Sequence, residues 1–152
     1  MRSLLLLLHL AGVVVWVGGM FFAHFCLRPV VTAQLPPPQR LPLLAGVLGR
    51  FFLAVAVSIV AILVSGFAIM GAIGFGQAPI HWHVMSGSGL LMAAIFGVIY
   101  FLYYPKLKVG VAAQDWPTAG AAMNRIRLLV ATNLLLGALT IAVATLGAHF
   151  VR

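Results

Sequence analysis

Acidic side chains are almost absent from this chain: Asp115 is the only aspartate or glutamate among 152 residues. Paired-carboxylate hydrolysis and carboxylate proton relays are thereby excluded, because each needs at least two such groups. Cysteine is equally scarce. Cys26 stands alone, so no intramolecular disulfide can form, and the residue reads as a small buried apolar side chain. Charge of either sign is thin, at 7% of residues where soluble domains carry about 25%.

The sequence is instead rich in apolar residues. Hydrophobic residues make up 64% of the chain and the mean hydropathy is +1.18, which defines an integral membrane protein. The net charge of +8 would suggest nucleic acid in a soluble domain. Here the basic residues fall between apolar runs, where they set orientation, and no nucleic-acid partner is expected.

A bilayer core of about 30 Å takes about 20 apolar residues in a helix. Four segments qualify, at residues 4–27, 51–73, 82–104 and 127–149. The first connection is interrupted by Pro36, Pro37 and Pro38 and is expected to be an extended turn. The second, "GAIGFGQAPI", is short and rich in glycine, so the second and third helices are predicted to be antiparallel neighbours. In the third connection Asp115 is placed to cap a helix with Pro117 in its first turn. The chain therefore reads as all-α, a single four-helix transmembrane domain over residues 1–152 with the lipid bilayer as its principal partner.

Arg28, Arg40, Arg50, Lys106, Lys108, Arg125 and Arg127 all fall in the first and third connections, and the second carries no charge. The positive-inside bias then places those connections in the cytoplasm and both termini in the periplasm. Arg2 pulls weakly the other way. The first apolar run exceeds the h-region of a secretory signal, has no small-residue cleavage pattern after it, and is expected to stay in the mature protein. Tyr100, Tyr103 and Tyr104 fall at the inner interface, where amphipathic rings are enriched.

In this topology His9, His81, His83 and His149 gather near the outer face, from three helices, while His24 lies near the inner end of the first. His149 and His24 read as interfacial polar groups. His9 differs, because it sits within an apolar run where an unpaired polar group costs about 2 kcal/mol or more. It opens a stripe at helical spacing, His9, Gly12, Trp16, Gly19 and Ala23. The third helix has His83 followed one turn later by Gly87. The glycines fit either a close helix crossing or a flat group lying on the backbone, and His9 with His83 would serve as axial ligands of haem b, with Gly12, Trp16 and Gly87 around the ring.

The stretch "HWHVM" admits a second chemistry. His81 and Met85 are four residues apart, and imidazole with thioether suits copper, above all Cu(I). The candidate metal ligands are thus His9, His81, His83 and Met85, with Met70 near enough in topology to join them. Met20, Met92 and Met123 read as packing. Ser58 and Ser65, and likewise Asn133 and Thr140, recur seven residues apart and are expected to hydrogen-bond between helices. No nucleophile with a base partner emerges and no catalytic residue is assigned. The one enzymatic activity left open is a haem-dependent oxidoreductase.

The segments "LHLAGVVVWVGGMFF", "PPPQRL", "HVMSGSGLLMAAIFG" and "AAQDWPTAGAAMNRIRLLVATNLLLG" resemble the copper-resistance D (CopD) domain family of bacterial inner-membrane proteins, in its short stand-alone form. That resemblance implies copper uptake, homeostasis or resistance beside a periplasmic copper-binding or electron-transfer partner. A fainter similarity runs to the small haem-binding protoporphyrinogen oxidases of the HemJ type. His9, Trp16 and Gly19 match their first helix, Trp82 precedes His83 directly, and Met85 stands where that family has a lysine. Copper handling through His81, His83, Met85 and the deeper His9 is the leading expectation, a b-type haem redox protein with His9 and His83 as axial ligands the alternative, and a structural or partner-binding bundle the third.

Overall fold

The computed structural model describes the backbone of residues 1–150 and the side chains of residues 1–147. Four long helices make up the described residues: Arg2–Gln34, Pro37–Ile73, Ile80–Ala112 and Trp116–Phe150. Each has an apolar stretch sufficient to cross a bilayer. Helix is what such a stretch must adopt, because lipid offers no partner for backbone N–H and C=O groups and only an internally bonded segment satisfies them. The protein is an all-α four-helix membrane bundle.

The helices run further than their apolar cores, all at the same end of the bundle, and the proline-containing connections are mostly helical. In the first helix, a π-helical turn over Phe22–Leu27 lies just ahead of Pro29. In the third, another over Ile99–Tyr103 lies just ahead of Pro105. A proline ring clashes with the carbonyl four residues earlier, and a widened turn relieves that clash without ending the helix. The expected extended turn around the three prolines shrinks to Leu35 and Pro36. The Pro36 carbonyl accepts the N–H groups of Gln39 and Arg40 at 3.0 Å each. Pro37 and Pro38 open the second helix, where a missing N–H costs nothing.

At the other end Gly74, with φ +96°, terminates the second helix in a conformation that only glycine adopts freely, and a short turn over Phe75–Gln77 leads to the third. Between the third and fourth helices Gln114 occupies the left-handed region at φ 54°. The Asp115 N–H returns to the Gly110 carbonyl at 2.9 Å, the closing bond of a Schellman-type end. Asp115 then caps the fourth helix, accepting the Thr118 N–H on Oδ1 at 3.1 Å.

The first helix packs chiefly on the second, and the third on the fourth. The second also touches the third and fourth, and the widened middle of the first touches the fourth. The first and third helices share no comparable interface. Phe52 fills the core, edge-on to Phe96 and Tyr104 at ring separations of 5.7 and 5.2 Å. Met20, Ile99, Leu107 and Ile126 complete it. Gly110 lies so close to the Ala119 backbone that a Cβ there would stand 2.9 Å from its nitrogen. Leu53, Val57, Val60, Val64 and Phe101 face outward, as a lipid-facing belt must.

Two predictions follow from the turn between the third and fourth helices. Replacing Gln114 by glycine relieves an L-residue in left-handed geometry and stabilises the protein by about 0.5–1 kcal/mol in detergent unfolding. The hydrogen bonds from Thr118 hold the Asp115 carboxyl below the usual carboxylate range. Its folded value being depressed, its contribution is complete above about pH 4 and is lost as pH falls through the folded value. Asp115→Asn keeps a capping side chain without a titrating group, so unfolding curves of the variant should lack the acid-side loss seen in wild type.

Candidate functional site

Near the end of the bundle that holds the second connection, the helices leave a cavity of about 400 Å³. His9, Trp16, Met70, Met85, Met92 and Thr140 are among the residues that line it. His9 comes from the first helix, where helical spacing carries it onto the second. Its Nδ1 lies 3.1 Å from the Ile62 carbonyl and 3.1 Å from Ser65 Oγ. A carbonyl only accepts, and Ser65 gives its own proton to the Ala61 carbonyl. The Nδ1 atom therefore carries the ring proton, and Nε2 is left with a free lone pair.

Gly66 makes this orientation possible. A Cβ on Gly66 would stand 3.2 Å from His9 Cε1 and 3.5 Å from Nδ1, so its absence lets the ring approach the second helix closely. Gly12, one turn after His9, serves the same interface differently. A Cβ there would meet Ile62 Cγ1 at 2.8 Å and the Ser58 carbonyl at 3.1 Å, which makes Gly12 a point of close approach between the two helices. The space expected beside Gly12 for a flat ligand is occupied by Ile62.

The third helix turns a different stripe inward from the one expected. Trp82, Met85, Ser86, Gly89 and Met92 line the cavity, with spacings of three and four residues. His83 and Gly87 lie on the exposed face. His83 Nε2 is 3.1 Å from the Phe75 carbonyl, to which it donates. His9 and His83 therefore do not face each other across adjoining helices. His81 packs against the fourth helix, where a Cβ on Gly147 would stand 2.9 Å from His81 Cβ. It lies outside the cavity that Met85 enters. His149 falls outside the residues whose side chains are described. His24 lines a smaller cavity at the opposite end, and Cys26, expected to be buried, is exposed.

Of the candidate ligands, the structure brings His9 and Met85 to one cavity and leaves His81 and His83 off its lining. Met70 joins them: Ser86 Oγ lies 3.1 Å from Met70 Sδ and 2.9 Å from the Trp82 carbonyl. Met92 packs in the core, as expected of a thioether in a membrane bundle, and also borders the lining. Gly66 is the residue that sequence reasoning missed, and its only signal was its place beside Ser65. Among the described residues no three of His, Cys, Asp and Glu cluster to hold a metal. The donors that share one cavity are an imidazole nitrogen and thioether sulfurs, in a chamber whose only titratable side chain among the described residues is His9.

An α-helical membrane bundle with one oriented imidazole and several thioethers around an apolar chamber is the class of protein that fold and site define. Within it, the chain belongs to the family of copper resistance protein D, whose sequence profile matches residues 45–146. That segment takes in most of the second helix, the whole third and most of the fourth, leaving His9 ahead of it. No curated protein and no solved structure matches the chain.

The His9 tautomer is directly measurable. In nitrogen-15 spectra of histidine-labelled protein, assigned by a His9→Gln variant, His9 should show a protonated Nδ1 and an unprotonated Nε2. Gly66→Val should disturb that pattern by pushing the ring off the Ile62 carbonyl. A wild-type ring protonated at Nε2 would contradict the arrangement.

Proposed function

We propose that this chain handles copper, as Cu(I), at the periplasmic side of a bacterial inner membrane, binding it in the cavity lined by His9. The observation that carries the reading is the donor set: an imidazole whose Nδ1 proton is committed to Ile62, opening onto the same chamber as Met70 and Met85. Neutral nitrogen and thioether donors suit Cu(I). The hydrogen bond behind the imidazole fixes its tautomer and raises its basicity, as an outer-shell partner of a ligand does. Charge makes the same selection. The chamber contains no anionic side chain, and the cost of moving an ion out of water grows with the square of its charge. A monovalent ion is therefore favoured over Cu(II) or Zn(II).

The membership in the copper resistance protein D family points to the same cargo. The basic residues of the first and third connections support an orientation with that end in the cytoplasm. The cavity and both termini then face the periplasm. His81 and His83, outside the chamber at its outer end, are the side chains that an arriving ion would meet first, and a periplasmic copper-binding protein is the corresponding partner.

A second reading, a b-type haem redox protein, is favoured by the same oriented His9 and by the apolar walls that include Trp16 and Trp82. With His83 turned outward, a thioether of Met70 or Met85 would take the second axial position, a His/Met pairing that haem proteins use.

One set of preparations separates the two. The purified protein should be colourless and should bind Cu(I) in competition with a chromophoric chelator. His9→Ala and Met85→Leu should each weaken binding by about tenfold or more, the scale of one lost ligand interaction of about 1.4 kcal/mol, while His83→Ala should change it by less than about threefold. A Soret band that disappears in His9→Ala would replace copper by haem. Cu(I) affinity unmoved by His9→Ala in a colourless protein would overturn both readings.

A further inference from the structure

The opposite end of the bundle holds a second cavity, of about 150 Å³, between the first, second and fourth helices. Its walls are wholly apolar, with Phe22, Leu44 and Phe51 among them, and Arg28 and Arg127 line it with the carbon stems of their side chains. Arg40 lies close enough for its charge to act, with that of Arg127, on Arg28. Arg28 and Arg127 thus share the lining of one small cavity with Arg40 in the neighbourhood, and like charges repel one another unless an anion lies among them. Arg127 adds an independent observation. Its Nε is shut away from the surroundings, with no acceptor among the described residues.

The chain itself supplies no such anion. Asp115 is its only acidic residue, and that carboxylate is committed to the Thr118 N–H. The partner must come from outside and be anionic. Guanidinium groups match phosphate oxygens in a bidentate fork, so phosphate is the chemistry that these side chains recognise best. The adjoining wall selects between sources of phosphate. Phe22 is 58% exposed and still lines the cavity, so the apolar pocket opens onto the lipid-facing surface of the bundle. A free phosphate would have no use for that surface, whereas an acyl chain would bury it.

We propose that this cavity takes an acyl chain of an anionic phospholipid along Phe22, Leu44 and Phe51, with the lipid phosphate outside its apolar walls, held by the guanidiniums of Arg28 and Arg127 and assisted by Arg40. The site is independent of the copper-binding cavity, being built on the other end of the helices. A bound lipid would add a tie between the first helix and the fourth and offset the repulsion between Arg28 and Arg127.

Native mass spectrometry of the detergent-released protein with equal amounts of phosphatidylglycerol and phosphatidylcholine tests the site. Wild type should retain phosphatidylglycerol preferentially by about tenfold, as expected for two cations near a lipid phosphate, and phosphatidylglycerol should raise its melting temperature. Arg28→Gln and Arg127→Gln should each remove most of that preference, whereas Arg125→Gln, whose side chain is exposed, should leave it intact. If a glutamine variant fails to fold, Arg127→Lys is used instead. Keeping the charge but losing the fork, it should lower the preference while remaining folded. Equal retention of the two lipids by wild type would overturn the proposal, as would an equal loss in Arg125→Gln, which would indicate a general surface effect. Displacement of phosphatidylglycerol by millimolar inorganic phosphate would overturn the lipid assignment and leave a plain phosphate site.

Discussion

The close crossing of the first and second helices at Gly12 governs the geometry of everything above it. With no side chain at that position, the two backbones come near enough for Ile62 and the Ser58 carbonyl to press on Gly12. One turn earlier, His9 is thereby set down on the second helix within reach of a carbonyl that already takes part in the helix. A second glycine, Gly66, clears the place where the ring lies. A histidine in an apolar segment must find a partner or pay the cost of an unsatisfied polar group. Here the partner is backbone, which cannot swing away or change protonation. The consequence is a rigid imidazole with one nitrogen occupied and the other presented to the cavity.

Electrostatics divides the molecule along its length. The cavity at one end is chemically soft, with His9 its only titratable side chain among the described residues and thioethers beside it. The other end holds guanidiniums around a smaller apolar pocket. Between them lies a core of Phe52, Met20, Ile99 and their neighbours with few polar atoms. Because the only carboxylate caps a helix on the surface, neither end can neutralise charge from within. A cation at the soft end depends on donor quality rather than on counter-charge, and the basic end depends on anions from its surroundings.

The membrane class, the number of helices and the concentration of positive charge at one end were legible in composition and hydropathy, since lipid imposes helix on any long apolar run. Helix length was not. The apolar runs ended at residues 27 and 104, yet π-helical turns ahead of Pro29 and Pro105 carry the helices on, and whether a turn widens depends on what packs against it. Asp115 was recognisable as a cap because that role is set by a few adjacent residues. The inward stripe of the third helix was not recognisable. His83 with Gly87 and Met85 with Gly89 have the same spacing, so periodicity alone does not say which of them faces a neighbour.

The sequence by itself determined an all-helical membrane protein with one deep histidine in need of a partner, because burial cost and backbone satisfaction depend only on residue type and run length. Only the tertiary structure decided what that histidine meets. The pairing of the first helix with the second, rather than with the third, gave His9 the Ile62 carbonyl and the thioethers of Met70 and Met85 as its surroundings, and turned His83 away to the Phe75 carbonyl. That choice rests on which helix faces interlock around Gly12 and Gly66, a property of two surfaces together that neither strand of sequence carries alone.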